Sequence, residues 1–340
     1  MLTPERDARI AAFLADAGWG AAARGPMGAD WSARRYERLR AADGRTRILM
    51  DAPGPAAAQV PPFVRICGIL RGCGLSAPVT EAGDDADGLL LLEDLGDDSF
   101  ARLLERGDDP RPLYTLATDV LVALHRRFDP ATAAGLPRYD ADLFTRQVML
   151  FADAYLPAAT GAAPTAAARG ALEAAWRAVL PAAFAVPDSL LLRDYHPGNL
   201  MLLPERPGVR ACGLLDVQDA GLGPVAYDLL SLLEDARRDV PAEIADAMRA
   251  RYRDAFPEID ADAFAAADAV LGAVRHARIL GRVAELAAGR PARQFVFLPR
   301  VWGQLAAKLR HPALAPVAAW MRDSLPADGA VDLILQGDAA

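Results

Sequence analysis

Within the stretch LLLRDYHPGNLMLL (190–203), the seven residues Arg193 to Asn199 place an arginine, an aspartate, a histidine and an asparagine between two short apolar runs. Apolar runs of that length, bounded by turn residues, read as buried strands, and the polar insert as a loop held by a rigid base. A second pattern of this kind follows in CGLLDVQDA (212–220): Gly213 to Leu215 finish a buried strand, Asp216 stands at its exit, and Asp219 comes three residues later. Asp194, Asn199 and Asp216 are therefore expected at the ends of two adjacent strand segments, facing one point. A carboxylate and an amide oxygen form a hard donor pair, suited to Mg2+ carried in by substrate phosphates and unsuited to zinc. Asp194 then remains as a base for a hydroxyl.

The elements that must position these groups fall into two sets. Thr3 and Pro4 are good N-cap and first-turn residues ahead of the stripe Ile10, Phe13 and Leu14, and Gly18 closes the pattern, so the chain opens with a helix. SARRYERLRAADGRTRILMDAP predicts two strands around an Asp43-Gly44 turn. PPFVRICGILRGCG predicts a helix with Phe63, Ile66 and Leu70 on one face, and APVTEAGDDADGLLLLEDLGDD two more strands. From about residue 98 the pattern turns helical: Leu113, Leu116, Val120, Leu124 and Phe128 share one face, and Leu143, Val148, Phe151 and Tyr155 do so more loosely. Strands return around 190–203 and 211–215, and Val225 to Trp320 is again helical. The Ala-rich stretch 157–170 reads as a surface connection. The expected fold is α+β: a small N-terminal antiparallel-sheet lobe (1–95) and a larger, mostly helical C-terminal lobe (96–340), with a cleft where they join.

Totals narrow the function. A length of 340 residues exceeds what one compact core usually serves, and an apolar fraction of 53% is ample for a large one. Cys67, Cys73 and Cys212 show no CxxC spacing and the four histidines lie far apart, which speaks against a disulfide framework or a zinc site. A net charge of −8 disfavours nucleic acid as a partner. No apolar run approaches the roughly 18 residues of a membrane helix, and the acids in MLTPERDARIAAFLADAG are unlike a signal peptide, so a cytoplasmic protein with no membrane partner is expected. Positive charge is almost all arginine: Lys308 is the only lysine.

RDYHPGN, followed by LLDVQDA and AYDLLSLLEDARRD, resembles the catalytic and metal loops of the aminoglycoside phosphotransferase and choline kinase group, relatives of the protein kinase fold. Within that group the chain is most similar to the bacterial anomeric sugar kinases that phosphorylate N-acetylmuramate and N-acetylglucosamine at C1 in cell-wall recycling. The shared features are Asp30, Ser32, Arg34, Arg35 and Tyr36, then ILMDAP, GLSAPV, LLLEDLGD and FLPRVW, so the likeness spans about 28 to 320. It implies ATP and Mg2+ as cofactors and a small sugar as substrate. It further implies Asp194 as catalytic base, His196 as a loop-bracing histidine and Asn199 with Asp216 as metal ligands. Asp228 would brace the catalytic loop, and Glu93 to Leu95 would be the hinge whose backbone pairs with adenine. Asp219 would either orient substrate or sit as a turn acid, and His125 reads as a core histidine.

One departure matters. Kinases of this fold hold ATP phosphates with a third-strand lysine paired to a glutamate on the next helix. Here TRILMDAP offers Met50 or its neighbours instead, and residues 52–80 contain no Asp or Glu. Either the chain is a nucleotide-binding pseudokinase, or Arg34 and Arg35, just after GADWS, clamp the phosphates with an arginine fork. The intact base and ligands favour the enzyme.

The acceptor is read from charge. Residues 272–310 carry Arg275, Arg278, Arg282, Arg290, Arg293, Arg300, Lys308 and Arg310 against the single acid Glu285. Arg275, Arg278 and Arg282 recur on one helical face beside His276, which suits an acidic sugar such as N-acetylmuramate. The same face could instead pair with the acidic segment EDARRDVPAEIADAMRARYRD. Family membership and net acidity leave a kinase for an aminoglycoside or choline-like alcohol as the alternative.

Overall fold

The computed structural model describes residues 3–28, 34–287 and 295–325. The chain divides into two compact units, Met1–Phe128 with Pro197–Ala220, and Asp129–His196 with Gly221–Ala340.

The first unit is built on a five-stranded antiparallel sheet whose strands lie in the order Ala23–Pro26, Arg35–Arg40, Thr46–Asp51, Leu89–Glu93 and Thr80–Asp84. Helix α1 (Pro4–Asp16) begins where the Thr3 hydroxyl accepts the Arg6 amide at 3.2 Å, the capping that Thr-Pro predicts. Strand β1 (Ala23–Pro26) lacks the apolar alternation that marks a strand; it survives as an edge strand, where the missing N–H of Pro26 is tolerated. Strands β2 (Arg35–Arg40) and β3 (Thr46–Asp51) flank the Asp43-Gly44 turn, with Gly44 at φ 87. Helix α2 (Val60–Gly72) buries Phe63, Ile66 and Leu70 as its spacing predicts. Strands β4 (Thr80–Asp84) and β5 (Leu89–Glu93) complete the sheet. Leu39, Leu49, Leu89 and Leu91 pack with Ile10 and Leu14 of α1, so the odd-numbered positions of β2, β3 and β5 share the α1 side and the even ones the opposite face. Helix α3 (Phe100–Arg106) is capped by Ser99 and stopped by Gly107, and α4 (Pro110–Arg127) carries the predicted apolar face.

In the second unit, α5 (Ala141–Leu150) runs through a π turn at Phe151–Tyr155 into α6 (Leu156–Thr160). The wide turn accommodates the irregular apolar spacing from Leu143 to Tyr155. Helix α7 (Ala166–Val179) starts at Thr165, so the connection expected over 157–170 contracts to residues 161–165. Alanine-rich segments carry high helix propensity, and this one extends both neighbouring helices. Strand β6 (Asp188–Leu191) ends this passage.

The chain returns to the first unit for the hairpin β7 (Leu200–Leu202) and β8 (Cys212–Leu214), then enters the second unit again at β9 (Gly221–Pro224). Strand β8 pairs with β7, and β6 pairs with β9, a strand of Gly and Pro that carries no strand signal of its own. Helices α8 (Ala226–Leu233), α9 (Ala242–Ala255), α10 (Ala261–Ala287), α11 (Leu298–Lys308) and α12 (Ala315–Ser324) follow. α10 is the centre of this unit and passes so close to the α5 terminus that a Cβ at Gly281 would lie 2.5 Å from the Leu150 carbonyl carbon. No described helix is long and apolar enough to cross a membrane.

Candidate active site

The hairpin β7–β8 holds two of the predicted ligands at one end. Leu200 faces Leu214 in register, and the Leu215 amide donates to the Asn199 carbonyl at 2.9 Å, so Asn199 and Asp216 stand at neighbouring strand ends. The hairpin is fixed on both sides: Leu214 donates to the Ser76 carbonyl and Leu202 to the Asp98 carbonyl, each at 2.8 Å. Asp216 has φ 57; it and Arg193 (φ 73) are the non-glycine residues in left-handed backbone among the described residues. Such conformations cost about 1–2 kcal/mol and persist only where the surroundings enforce them. That both occur in the two polar loops marks these loops as places where direction matters.

Asn199 and Asp216 line a cavity of about 240 Å³ in the first unit. Its walls are apolar, with Met27, Ile48, Phe63, Leu92, Met201 and Leu215, and Tyr36 and Gly28 complete one side. Glu93, Asp94, Leu95 and Gly96 form its edge. This edge is rigidly built: Asp94 is bound by Arg38 at 2.8 Å and accepts the Gly96 amide at 3.0 Å, while Arg206 binds Glu93 and the Ser76 hydroxyl. A flat apolar slot with a few polar groups at one end is the usual form of a small-molecule site. The amide and carboxylate oxygens of Asn199 and Asp216 fit a hard divalent ion that brings its remaining ligands with it.

Arg34 and Arg35 part company. The Arg34 guanidinium, 5% exposed, binds Asp216 and donates to the Gln218 side-chain oxygen at 2.7 Å, and Gln218 donates to Asp216 at 3.1 Å. Arg35 instead pairs with Asp51, which also takes Arg6 of α1 at 2.7 Å. Strand parity is the cause, since odd-numbered side chains of β2 and β3 face α1. Ser32 and Asp30 lie outside the described residues.

In the second unit, Asp194 follows β6 through a tight turn in which its amide donates to the Leu192 carbonyl at 2.9 Å. Burial raises its carboxyl pKa, but Arg193, Arg278, His196 and Arg275 outweigh that and hold it below the usual carboxylate range. The side chain is therefore ionised at neutral pH. His196 approaches Arg237 at 3.4 Å and is pushed down to about 4 by burial and by that arginine, against the pull of Asp235 and Asp194. It is neutral at physiological pH.

The basic face of α10 is divided. His276 is fully buried and bonded to Glu234 at 2.8 Å. Glu234 also binds Lys308 at 2.6 Å and Arg249 at 2.8 Å, and Lys308 reaches Asp268 as well. Arg275 is buried and donates to the Glu234 carbonyl at 3.1 Å, Arg278 is half-buried, and Arg282 pairs on the surface with Glu285. The pairing with the acidic segment is thus observed for His276, and likewise for Arg300 with Asp239. Asp219 sits half-buried in the turn after Asp216. Arg290 and Arg293 lie outside the described residues.

Residues 25–264 match the model of the phosphotransferase enzyme family. The chain belongs to that family. It is an ATP-dependent phosphotransferase. Among curated relatives, an N-acetylmuramate/N-acetylglucosamine kinase of Caulobacter vibrioides is 39% identical, with 96% of this chain and 99% of that protein covered. One of the same name from Pseudomonas aeruginosa is 34% identical, with 92% of each covered. The fold is shared with solved structures: a choline/ethanolamine kinase family protein from Mesorhizobium loti (TM-score 0.59, 18% identity, covering 95% of this chain and 100% of that one) and the choline kinase LicA from Streptococcus pneumoniae (0.61, 12%, 89% and 99%).

Several residues of the site carry no chemical signal in the sequence. Met27, Ile48, Phe63, Leu92, Met201 and Leu215 are ordinary apolar residues whose role comes from the segments that meet at the cavity. Gln218 is polar and buried between two named aspartates, and that spacing is the cue that could have found it.

Proposed function

We propose that the protein is a sugar kinase that phosphorylates the anomeric C1 hydroxyl of N-acetylmuramate or N-acetylglucosamine with ATP, in the cytoplasm, as part of cell-wall recycling. The observation that carries the phosphoryl-transfer reading is the placement of Asn199 and Asp216 at one end of a single hairpin, in the wall of an apolar slot. The names of relatives that align over most of this chain support the choice of sugar.

In this reading the adenine lies in the slot against Ile48, Leu92 and Met201, with the backbone of Glu93 and Leu95 at its edge. Asn199 and Asp216 would hold Mg2+, which neutralises charge on the phosphates when bound. Asp194 accepts the proton of the C1 hydroxyl. The sugar oxygen forms a bond to the γ-phosphorus while the bond to the β,γ-bridging oxygen breaks, releasing ADP. Phosphoryl transfer asks the protein mainly for position and charge, which suits an ionised base held by a braced loop. His196 stays neutral and braces that loop through Arg237 and Asp235. Arg275 and Arg278, whose charges act on Asp194, would supply the positive charge for the lactyl carboxylate of N-acetylmuramate, with Asp219 orienting the sugar.

The test is incubation with Mg-ATP and, separately, N-acetylmuramate, N-acetylglucosamine, kanamycin and choline, with phosphorus NMR locating the new ester. A C1 phosphate on either sugar is expected. Turnover of kanamycin or choline alone would sink the sugar reading, and nucleotide binding with no turnover of any acceptor would favour a pseudokinase.

A further inference from the structure

A triphosphate needs a cation, and this chain cannot use the usual one. Its single lysine is Lys308, held by Glu234 and Asp268, and no acid stands between residues 52 and 80 to pair with a third-strand lysine. The candidates are Arg34 and the arginines of β2 and β3, of which Arg40 is exposed at the far end of β2, in register with Thr46. Arg35 and Arg47 are odd-numbered and lie on the α1 side, where Arg35 is bonded to Asp51 and Arg47 lies over the Trp19 ring at 5.5 Å. Arg38 is even-numbered but is bound to Asp94, Asp97 and the Gly96 carbonyl. Arg34 is on the even side, almost wholly buried, and touches Asp216 in the cavity wall.

We propose that Arg34, and not Arg35, binds the phosphates of the nucleotide, and that Asp216 and Gln218 hold it ready. The proposal rests on reading the cavity as a nucleotide site. A guanidinium buried this deeply is stable only beside an anion, which Asp216 supplies. Arg34 and Gln218 both address Oδ1 of Asp216. The fork geometry of a guanidinium presents five donors, and phosphate oxygens are its best partners. Gln218, neutral and buried, fixes the plane of the guanidinium without competing for its charge. The lysine–glutamate pair is thereby replaced by an arginine whose counter-ion is itself a metal-site carboxylate.

The experiment is calorimetric titration of Mg-ATP, Mg-ADP and adenosine, with no sugar present, into the unsubstituted protein, R34A, R35A, R34K and Q218L, with melting curves for each. Arg34→Ala should weaken Mg-ATP and Mg-ADP by about tenfold to a hundredfold, the scale of a lost charged hydrogen bond, and leave adenosine within about twofold. R35A should leave all three ligands within about twofold, and R34K should recover part of the loss because it keeps the charge but not the fork. Q218L, which keeps the guanidinium and removes its neutral anchor, should weaken Mg-ATP but not adenosine, and serves if R34A melts below the assay temperature. Equal loss of adenosine and ATP in R34A, an unchanged ATP affinity in R34A or Q218L, or an ATP-specific loss in R35A would each overturn the assignment. Failure of the unsubstituted protein to bind Mg-ATP would overturn the nucleotide-site reading beneath it.

Discussion

Asp228, on α8, accepts the Arg193 amide at 2.9 Å while Arg193 is held in left-handed backbone, and its other oxygen accepts the Leu192 amide at 2.6 Å. Left-handed backbone costs a non-glycine residue about 1–2 kcal/mol. Two amide hydrogen bonds to the carboxyl contribute about 1 kcal/mol each, enough together to offset that cost. The loop turns where it does because a buried acid on the helix behind it demands two N–H groups, and Asp194 follows from that turn.

The acid itself gives a prediction about pH. Burial pushes the Asp228 carboxyl up to about 7 against the pull of the two amides. From pH near 4 to near 7 the folded chain therefore holds one proton that the unfolded chain releases, and this group's contribution to stability falls as pH rises through that window. Asp228→Asn removes the titration. The urea midpoint of the parent protein, minus that of D228N, should be larger at pH 5 than at pH 8; a difference independent of pH would refute it.

Asp194→Asn should reduce turnover by about a hundredfold or more, the usual scale for a positioned base. Mg-ATP affinity should stay near the parent value. Steady-state rates with a titration of nucleotide check both, and a variant that keeps its rate would remove Asp194 from the chemistry.

Asn199→Ala takes one oxygen from the pair at the hairpin end. The Mg2+ concentration for half-maximal turnover should rise by about tenfold or more, with the melting temperature little changed because the Asn199 carbonyl still accepts the Leu215 amide. An unaltered Mg2+ requirement would mean that this amide oxygen is not a ligand.

Gly281→Ala separates two opposed effects. Alanine in a helix gains about 1 kcal/mol over glycine. At this position the new Cβ would meet the Leu150 carbonyl carbon at 2.5 Å, and forced overpacking costs about 1–3 kcal/mol. The clash should prevail, and a thermal melt should show G281A below the parent; a rise would show that α10 moves away freely.

What could be read in advance depended on how local the determinant was. The Asp43-Gly44 turn, the Thr3 cap and the stripe Phe63, Ile66 and Leu70 act within a few residues and are plain in the sequence. The run Leu89 to Leu92 reads as a strand buried on both faces, and the structure buries it so. β1 and β9 are strands only because a neighbour offers its edge, and ARGP or GLGP alone says nothing of that. The π turn at Phe151 follows directly after Leu150, which α10 approaches at Gly281, over a hundred residues away, and no local signal marks it. In the candidate site, the placement of Asn199 and Asp216 at neighbouring strand ends was legible from spacing. Arg34 and Arg35 looked equivalent, since which face turns toward α1 is set by packing against residues far along the chain. For His276 the sequence left substrate contact and pairing with the acidic segment both open, and the Glu234 contact is the pairing.

Lys308 has a practical outcome. Burial alone would lower its pKa, but Asp268 and Glu234 raise it, and the ammonium is 11% exposed. It is also the sole side-chain amine in 340 residues. Acylating dyes, amine cross-linkers and acetyl donors all require an accessible, deprotonated amine, so they should leave the folded chain's side chains untouched. Labelling at Lys308 then becomes a direct gauge of unfolding around Glu234.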